Sequence, residues 1–149
     1  MTFAVSVART LRDTLQALDI IYIAEQLDII YEELPLPDRI RGFTGRMKER
    51  AYIVVNDALP RPWARAVAFH ELGHILLHNH LPDHFCITEH ALLPTGRLER
   101  QANEFAAEYL IPDDALSIHS DIRLIAAELD VPVELFRYKR PPRGGLCCM

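Results

Sequence analysis

The sequence predicts an α+β domain in which a small twisted sheet packs on a helix that carries an H-E-x-x-H motif. Three observations predict it. Apolar residues recur at helical spacing over residues 6–28, 62–78 and 97–111. Runs rich in β-branched residues at 29–34 and 51–55 are closed by turn formers. The stretch F-H-E-L-G-H-I-L-L-H-N-H, from Phe69 to His80, places five histidines and acids inside or at the end of one predicted helix.

The elements follow in order. Val7, Leu11, Leu15 and Leu18, then Ile20, Ile23, Ala24 and Leu27, define one helix or two joined near Asp19. Residues 29–34 form a strand ended by Pro35 and Pro37. The glycine-punctuated residues 41–45 are a second strand or a turn, and 45–49 the connection onward. Residues 51–55 are the clearest strand, closed by Asn56 and Asp57. A helix begins near Pro62, where proline is tolerated in the first turn, and runs to about His78. Residues 79–96 read as a loop, long enough either to gate whatever lies beside it or to pack its apolar residues on the core. Helix 97–111 carries Leu98, Ala102, Phe105, Ala106, Tyr109 and Leu110 on its apolar face and stops at Pro112. Two short helices are expected at 121–129 and 132–138, making a single domain of residues 1–138. The tail 139–149, K-R-P-P-R-G-G-L-C-C-M, reads as disordered.

Composition narrows the function. With 149 residues the chain is the size of one domain able to bury a core. Sixteen basic against twenty-one acidic residues give a net charge of −5, which disfavours nucleic acid as the main partner. No apolar run approaches the ~18–20 residues of a membrane span, and the first residues lack a signal-peptide pattern. A cytoplasmic protein is expected. Cys86 stands alone and Cys147 and Cys148 are adjacent, a pattern that suggests neither a disulfide framework nor a thiolate zinc site.

His70 and His74 are four residues apart, so both imidazoles share one helix face and can reach a single ion. Glu71 lies about 100° round the helix. There it can reach a water on the ion without itself ligating. Such an ion lowers the pKa of water from about 15.7 to roughly 7, and the carboxylate takes the proton. Gly73 costs helix propensity, which makes sense where another backbone packs closely.

A zinc centre needs a third protein ligand, and several residues compete. His80 gives the spacing of the metzincins, but Leu77 stands where that pattern requires glycine, and no Met-turn follows. His78 and His80 read as polar residues at a fraying helix end. His84 and His90 lie in the loop, where spacing sets no position, and His119 reads as surface. On the second helix Glu104 and Glu108 continue a stripe with Arg100 that reads as a solvated face. Glu99 differs. Its stripe runs through Asn103, Ala106 and Leu110 at the margin of the buried face, so its carboxylate can enter the seam between the helices. Two histidines and Glu99 make an open His₂Glu site.

The motifs F-H-E-L-G-H-I-L-L-H and E-R-Q-A-N-E-F-A-A-E-Y-L-I-P, in this order, resemble those of the ImmA/IrrE zinc metallopeptidases. The resemblance extends from Ile23 to Pro112 and includes I-A-E-Q-L-D-I-I-Y-E-E-L and A-Y-I-V-V-N. It implies a zincin-like core and a gluzincin-like site, with zinc on His70, His74 and Glu99 and Glu71 as general base. Gln101 stands where many relatives carry glutamate, and Tyr109 and Ile111 replace commoner Leu and Met. The chain is similar to the short form carried by phages and mobile elements, without the sensor domain of radiation-response members. That form implies a protein substrate, a separate helix-turn-helix repressor, and hence a role in transcription regulation. A second donor for the oxyanion is open among His84, His90 and Tyr109.

Two rivals stand beside this reading. One is a non-catalytic metal-binding regulator, such as a toxin–antitoxin component, for which an intact Glu71 has no use. The other is nucleic-acid binding through Arg137, Lys139, Arg140 and Arg143, against which the net acidity weighs.

Overall fold

The computed structural model describes residues 1–78, 96–117 and 120–141, and the backbone of 86–88. The architecture is α+β, with a four-stranded sheet on one side and helices on the other. Helix α1, Phe3–Leu15, begins at Thr2, whose hydroxyl accepts from the Val5 amide. It ends at Gln16 in the left-handed region. Asp19 caps helix α2, Ile20–Gln26, by accepting from the Ile21 amide. The expected break near Asp19 is therefore a cap in its own right.

Strand β1, Ile30–Leu34, pairs in parallel with β3, Arg50–Asn56. Strand β2, Gly42–Met47, pairs antiparallel with β3 across a turn at Lys48 and Glu49. The turn is thus shorter, and β2 longer, than the glycines suggested. Lys48 adopts φ +56° to close it. Asn56 braces the crossing from β1 to β2: its Nδ2 donates to the carbonyls of Leu36, Pro37 and Ile40, and its Oδ1 accepts from the Ala58 amide. A fourth strand, β4, Cys86–Thr88, pairs antiparallel with β2 and completes the order β1-β3-β2-β4. Sequence periodicity treats 79–96 as loop throughout; three residues are too few to carry a period.

Side chains alternate along β3, so Ala51, Ile53 and Val55 enter the core beneath helix α3, Arg61–His78. Phe43 and Tyr52 meet edge-on at the same sheet, 6.1 Å between ring centroids. Helix α3 is buried almost all round from Ala66 to Ile75, which identifies it as the central element. Helix α4, Arg97–Leu110, lies against it. Gly73 is the point of closest approach. A Cβ there would stand 3.2 Å from the Ala102 Cα and 3.1 Å from the Phe105 ring, so the glycine serves the backbone contact that its helix cost anticipated. Phe69, Tyr109 and Phe105 stack through the same seam. Two short helices, α5 at Ile122–Leu129 and a 3-10 turn, α6, at Val133–Tyr138, close the end of the domain. None of the described helices is long and apolar enough to cross a membrane.

One expectation fails on α4. Glu104 and Glu108 are not on a solvated face; they are 5% and 1% exposed. Arg9 Nε and Lys139 Nζ donate to the two Glu108 oxygens at 2.7 and 2.9 Å, and Arg140 Nη2 donates to Glu104 at 2.6 Å. Arg12 donates to the Glu108 carbonyl. The helical wheel of α4 cannot show that α1 and residues 139–140 cover this face from elsewhere in the chain. Buried carboxylates are tolerable only when paired in this way. Residues 142–149 and His119 lie outside the described residues, as do Cys147 and Cys148.

Asp113 joins the cluster, accepting from Lys139 at 2.7 Å and Arg9 at 3.1 Å. The Lys139 hydrogen bond lowers its pKa against a smaller opposing effect of burial. A carboxyl depressed by folding contributes stability that is complete above its unfolded value, about 3.9, and is lost as pH falls through the lower folded value. Asp113→Asn should therefore lower the melting temperature at pH 7 and have little effect near pH 2. An equal loss at both pH values would contradict this pairing.

Candidate metal centre

The motif helix is buried because the sheet, α1 and α4 all pack against it, and that burial carries His70, Glu71 and His74 into the interior, all at 0% exposure. Glu99 comes from the first turn of α4, where a carboxylate suits the positive end of the helix dipole. Its side chain is 23% exposed, so the cluster reaches its surroundings on this side.

Three side chains meet at one point, through two imidazole nitrogens and both oxygens of one carboxylate. His70 Nε2 lies 2.9 Å from one Glu99 oxygen, His74 Nε2 lies 2.9 Å from the other, and the two Nε2 atoms are 3.1 Å apart. Among the described residues this is the group of histidine, cysteine and acid side chains whose donor atoms converge closely enough to hold a metal ion. Ligands at the ~2.0–2.1 Å zinc distances of nitrogen and oxygen stand about 3.3 Å apart at the corners of a tetrahedron, near the 3.1 Å between the two Nε2 atoms, and each Nε2 has its own Glu99 oxygen at 2.9 Å. With three protein ligands one corner stays open. Burial opposes ionisation of Glu99, and the two imidazoles against its oxygens outweigh it, holding the carboxyl well below the usual range.

Glu71 projects toward β2. Its Cγ lies against Gly42, where an added Cβ would stand 3.7 Å away. The same Cβ would strike the Val54 carbonyl at 2.8 Å and Val67 at 2.9 Å, so only glycine lets β2 come this close to the motif helix. Glu71 is thus on a different flank of α3 from the convergence point, as its place in the helical turn requires.

The other expected participants fare differently. The Tyr109 hydroxyl donates to the Ala17 carbonyl at 2.7 Å, and its ring is core, so it is not available as an oxyanion donor. His80, His84 and His90 lie outside the described residues, as does most of the expected gating loop. The histidine expected at a fraying helix end, His78, is instead 1% exposed. Its Nδ1 is 3.0 Å from His74 Nδ1, and its Nε2 is 2.9 Å from Gln101 Oε1. Asn103 Oδ1 lies 2.7 Å from His70 Nδ1. These contacts had a signal in the sequence: His70, His74 and His78 form one i, i+4, i+8 stripe, and Glu99 and Asn103 another. What was missing was which stripes face each other.

An α+β core with a central H-E-x-x-H helix, and a glutamate delivered by the next helix, is the arrangement of a zincin-like metallopeptidase. Residues 24–140 match the Peptidase M78 family, described as the IrrE N-terminal-like domain, and the chain belongs to that metallopeptidase family. It is also 35% identical over 108 residues to a Bacillus phage phi105 protein described as "uncharacterized immunity region protein 2". That alignment covers 70% of this chain and 68% of the phage protein.

Proposed function

We propose that this chain is a cytoplasmic zinc-dependent endopeptidase that cleaves a specific regulatory protein, a helix-turn-helix repressor being the substrate class. One observation carries the reading: two imidazole nitrogens and a carboxylate, from two helices, converge within about 3 Å of one another at a largely buried point. His70, His74 and Glu99 would hold the ion. When bound, zinc supplies Lewis acidity, polarising a carbonyl and acidifying water.

Glu71 is the general base. Its carboxylate accepts the proton of the attacking water and returns it to the leaving amine, the two proton transfers that peptide hydrolysis needs at neutral pH. Its fully buried position keeps bulk water from competing for that proton. His70 and His74 are anchored along one rigid helix, and Glu99 is set by the Gly73 contact between helices, so the site needs little rearrangement to receive an ion. The phage relative's immunity-region description supports a regulatory protein as substrate, and the acidic chain supports a partner other than nucleic acid.

The test is cleavage in a defined mixture. The zinc-loaded chain is incubated with purified helix-turn-helix repressors as candidate substrates, with and without a chelator. Discrete products that vanish with chelator and return with zinc are expected. An intact regulator that binds the chain tightly in both conditions would instead favour the non-catalytic regulator.

A further inference from the structure

We infer that His78, Gln101 and Asn103 are positioning residues that lock the proton of each metal-facing histidine on Nδ1 and so turn both Nε2 lone pairs to the ion. The inference rests on the metal reading above and adds residues that the ligand set does not contain.

The two amide oxygens, on Gln101 and Asn103, can only accept. Gln101 Oε1, 2.9 Å from His78 Nε2, requires that nitrogen to carry a hydrogen. In a neutral imidazole the other nitrogen then bears a lone pair, so His78 Nδ1 is an acceptor. It faces His74 Nδ1 at 3.0 Å, which must therefore donate. His74 is left with its lone pair at Nε2, the atom beside Glu99. The second arm is shorter. Asn103 Oδ1 accepts from His70 Nδ1 at 2.7 Å, which leaves the His70 lone pair at Nε2 as well. Both arms give the same tautomer, by separate routes, from side chains on α4.

With both lone pairs so placed, the arrangement suits a cation. Two nitrogen lone pairs and a carboxylate, 2.9–3.1 Å apart and mostly buried, repel one another unless positive charge lies between them. Asn103 and His78 are themselves buried, at 0% and 1% exposure, so water offers neither ring an easy alternative partner. The helical register explains why these residues are available. His78 is one turn beyond His74 on α3, and Asn103 is one turn beyond Glu99 on α4, so the contacts that seat the ligands continue the stripes that supply them. Gln101 stands where a carboxylate would also accept, but as a neutral amide it ends the relay without adding charge to the site.

The experiment has two readouts. The first is zinc affinity, by competition with a chromophoric chelator. Gln101→Leu and Asn103→Leu should each weaken binding by about 10- to 100-fold, the usual effect of losing an outer partner of a ligating histidine. Gln101→Glu and Asn103→Asp keep an accepting oxygen and should recover wild-type affinity or better. Gln101 is only half-buried, so its leucine variant tests the longer arm without burying a new cavity. The second readout is the imidazole ¹⁵N spectrum of the metal-free protein. It should show Nδ1–H for His70 and His74 and Nε2–H for His78, with His74 and His78 becoming tautomer mixtures in Gln101→Leu. Wild-type affinity in both folded leucine variants would overturn the inference, and so would an Nε2 proton on His70 or His74 in the metal-free wild type. A wild type that binds no zinc would defeat the metal reading itself, while the tautomers would still decide the relay.

Discussion

Glu71→Gln will keep its fold and its zinc and lose cleavage by about 10²–10⁴-fold, the usual contribution of a general acid–base group. The substitution replaces one oxygen by an amide nitrogen of nearly the same size, so the close fit against Gly42 survives. What it removes is basicity, and with it the acceptor that the proposed mechanism gives the proton of the attacking water. The prediction also separates the enzyme from the non-catalytic regulator. A regulator that acts by binding would give the same biological output from the Glu71→Gln variant as from the wild type, provided both proteins carry metal. Cleavage products quantified under single-turnover conditions, with metal content measured on the same samples, decide the matter. Undiminished cleavage would remove Glu71 from the mechanism.

Alanine at His70, His74 or Glu99 should abolish zinc retention in protein purified without added metal. Two remaining donors hold an ion far less well than three. Glu99→Ala is the most informative, because Glu99 is partly exposed and its loss leaves no cavity sealed in the core. Melting with added zinc gives a second view of the same binding. Ligand at ~1,000 times its dissociation constant stabilises the native state by about 4.1 kcal/mol, so the wild type should gain several degrees in melting temperature and Glu99→Ala almost nothing. Full metal retention by Glu99→Ala would reassign the third ligand, and His80 would then be the residue to replace.

Much of this site was legible in the sequence because its chemistry is periodic. His70 and His74 share a helix face by spacing alone, and Glu99 sits where the stripe of its own helix leaves the core. The Gly73 contact was legible for a related reason: a residue costly to a helix needs a packing explanation, and Ala102 and Phe105 supply it. The failures share a different cause. Glu104 and Glu108 look solvated on the α4 wheel, yet Arg9 and Lys139 reach Glu108 from sequence separations of 99 and 31 residues. A one-helix pattern contains no information about what covers it. His78 misleads at the same level, since a helix end frays only if nothing packs there, and Gln101 packs there. Strand β4 escapes because its pairing with β2 sets its conformation, and three residues carry no signal of their own.

The central claim is that one ion sits between His70, His74 and Glu99, and anomalous diffraction from crystals of zinc-loaded protein tests it most directly. Data collected on both sides of the zinc absorption edge should place a single strong peak per chain within about 2.0–2.2 Å of both Nε2 atoms and a Glu99 oxygen. A peak at other residues, or none in crystals grown with excess zinc, would contradict it.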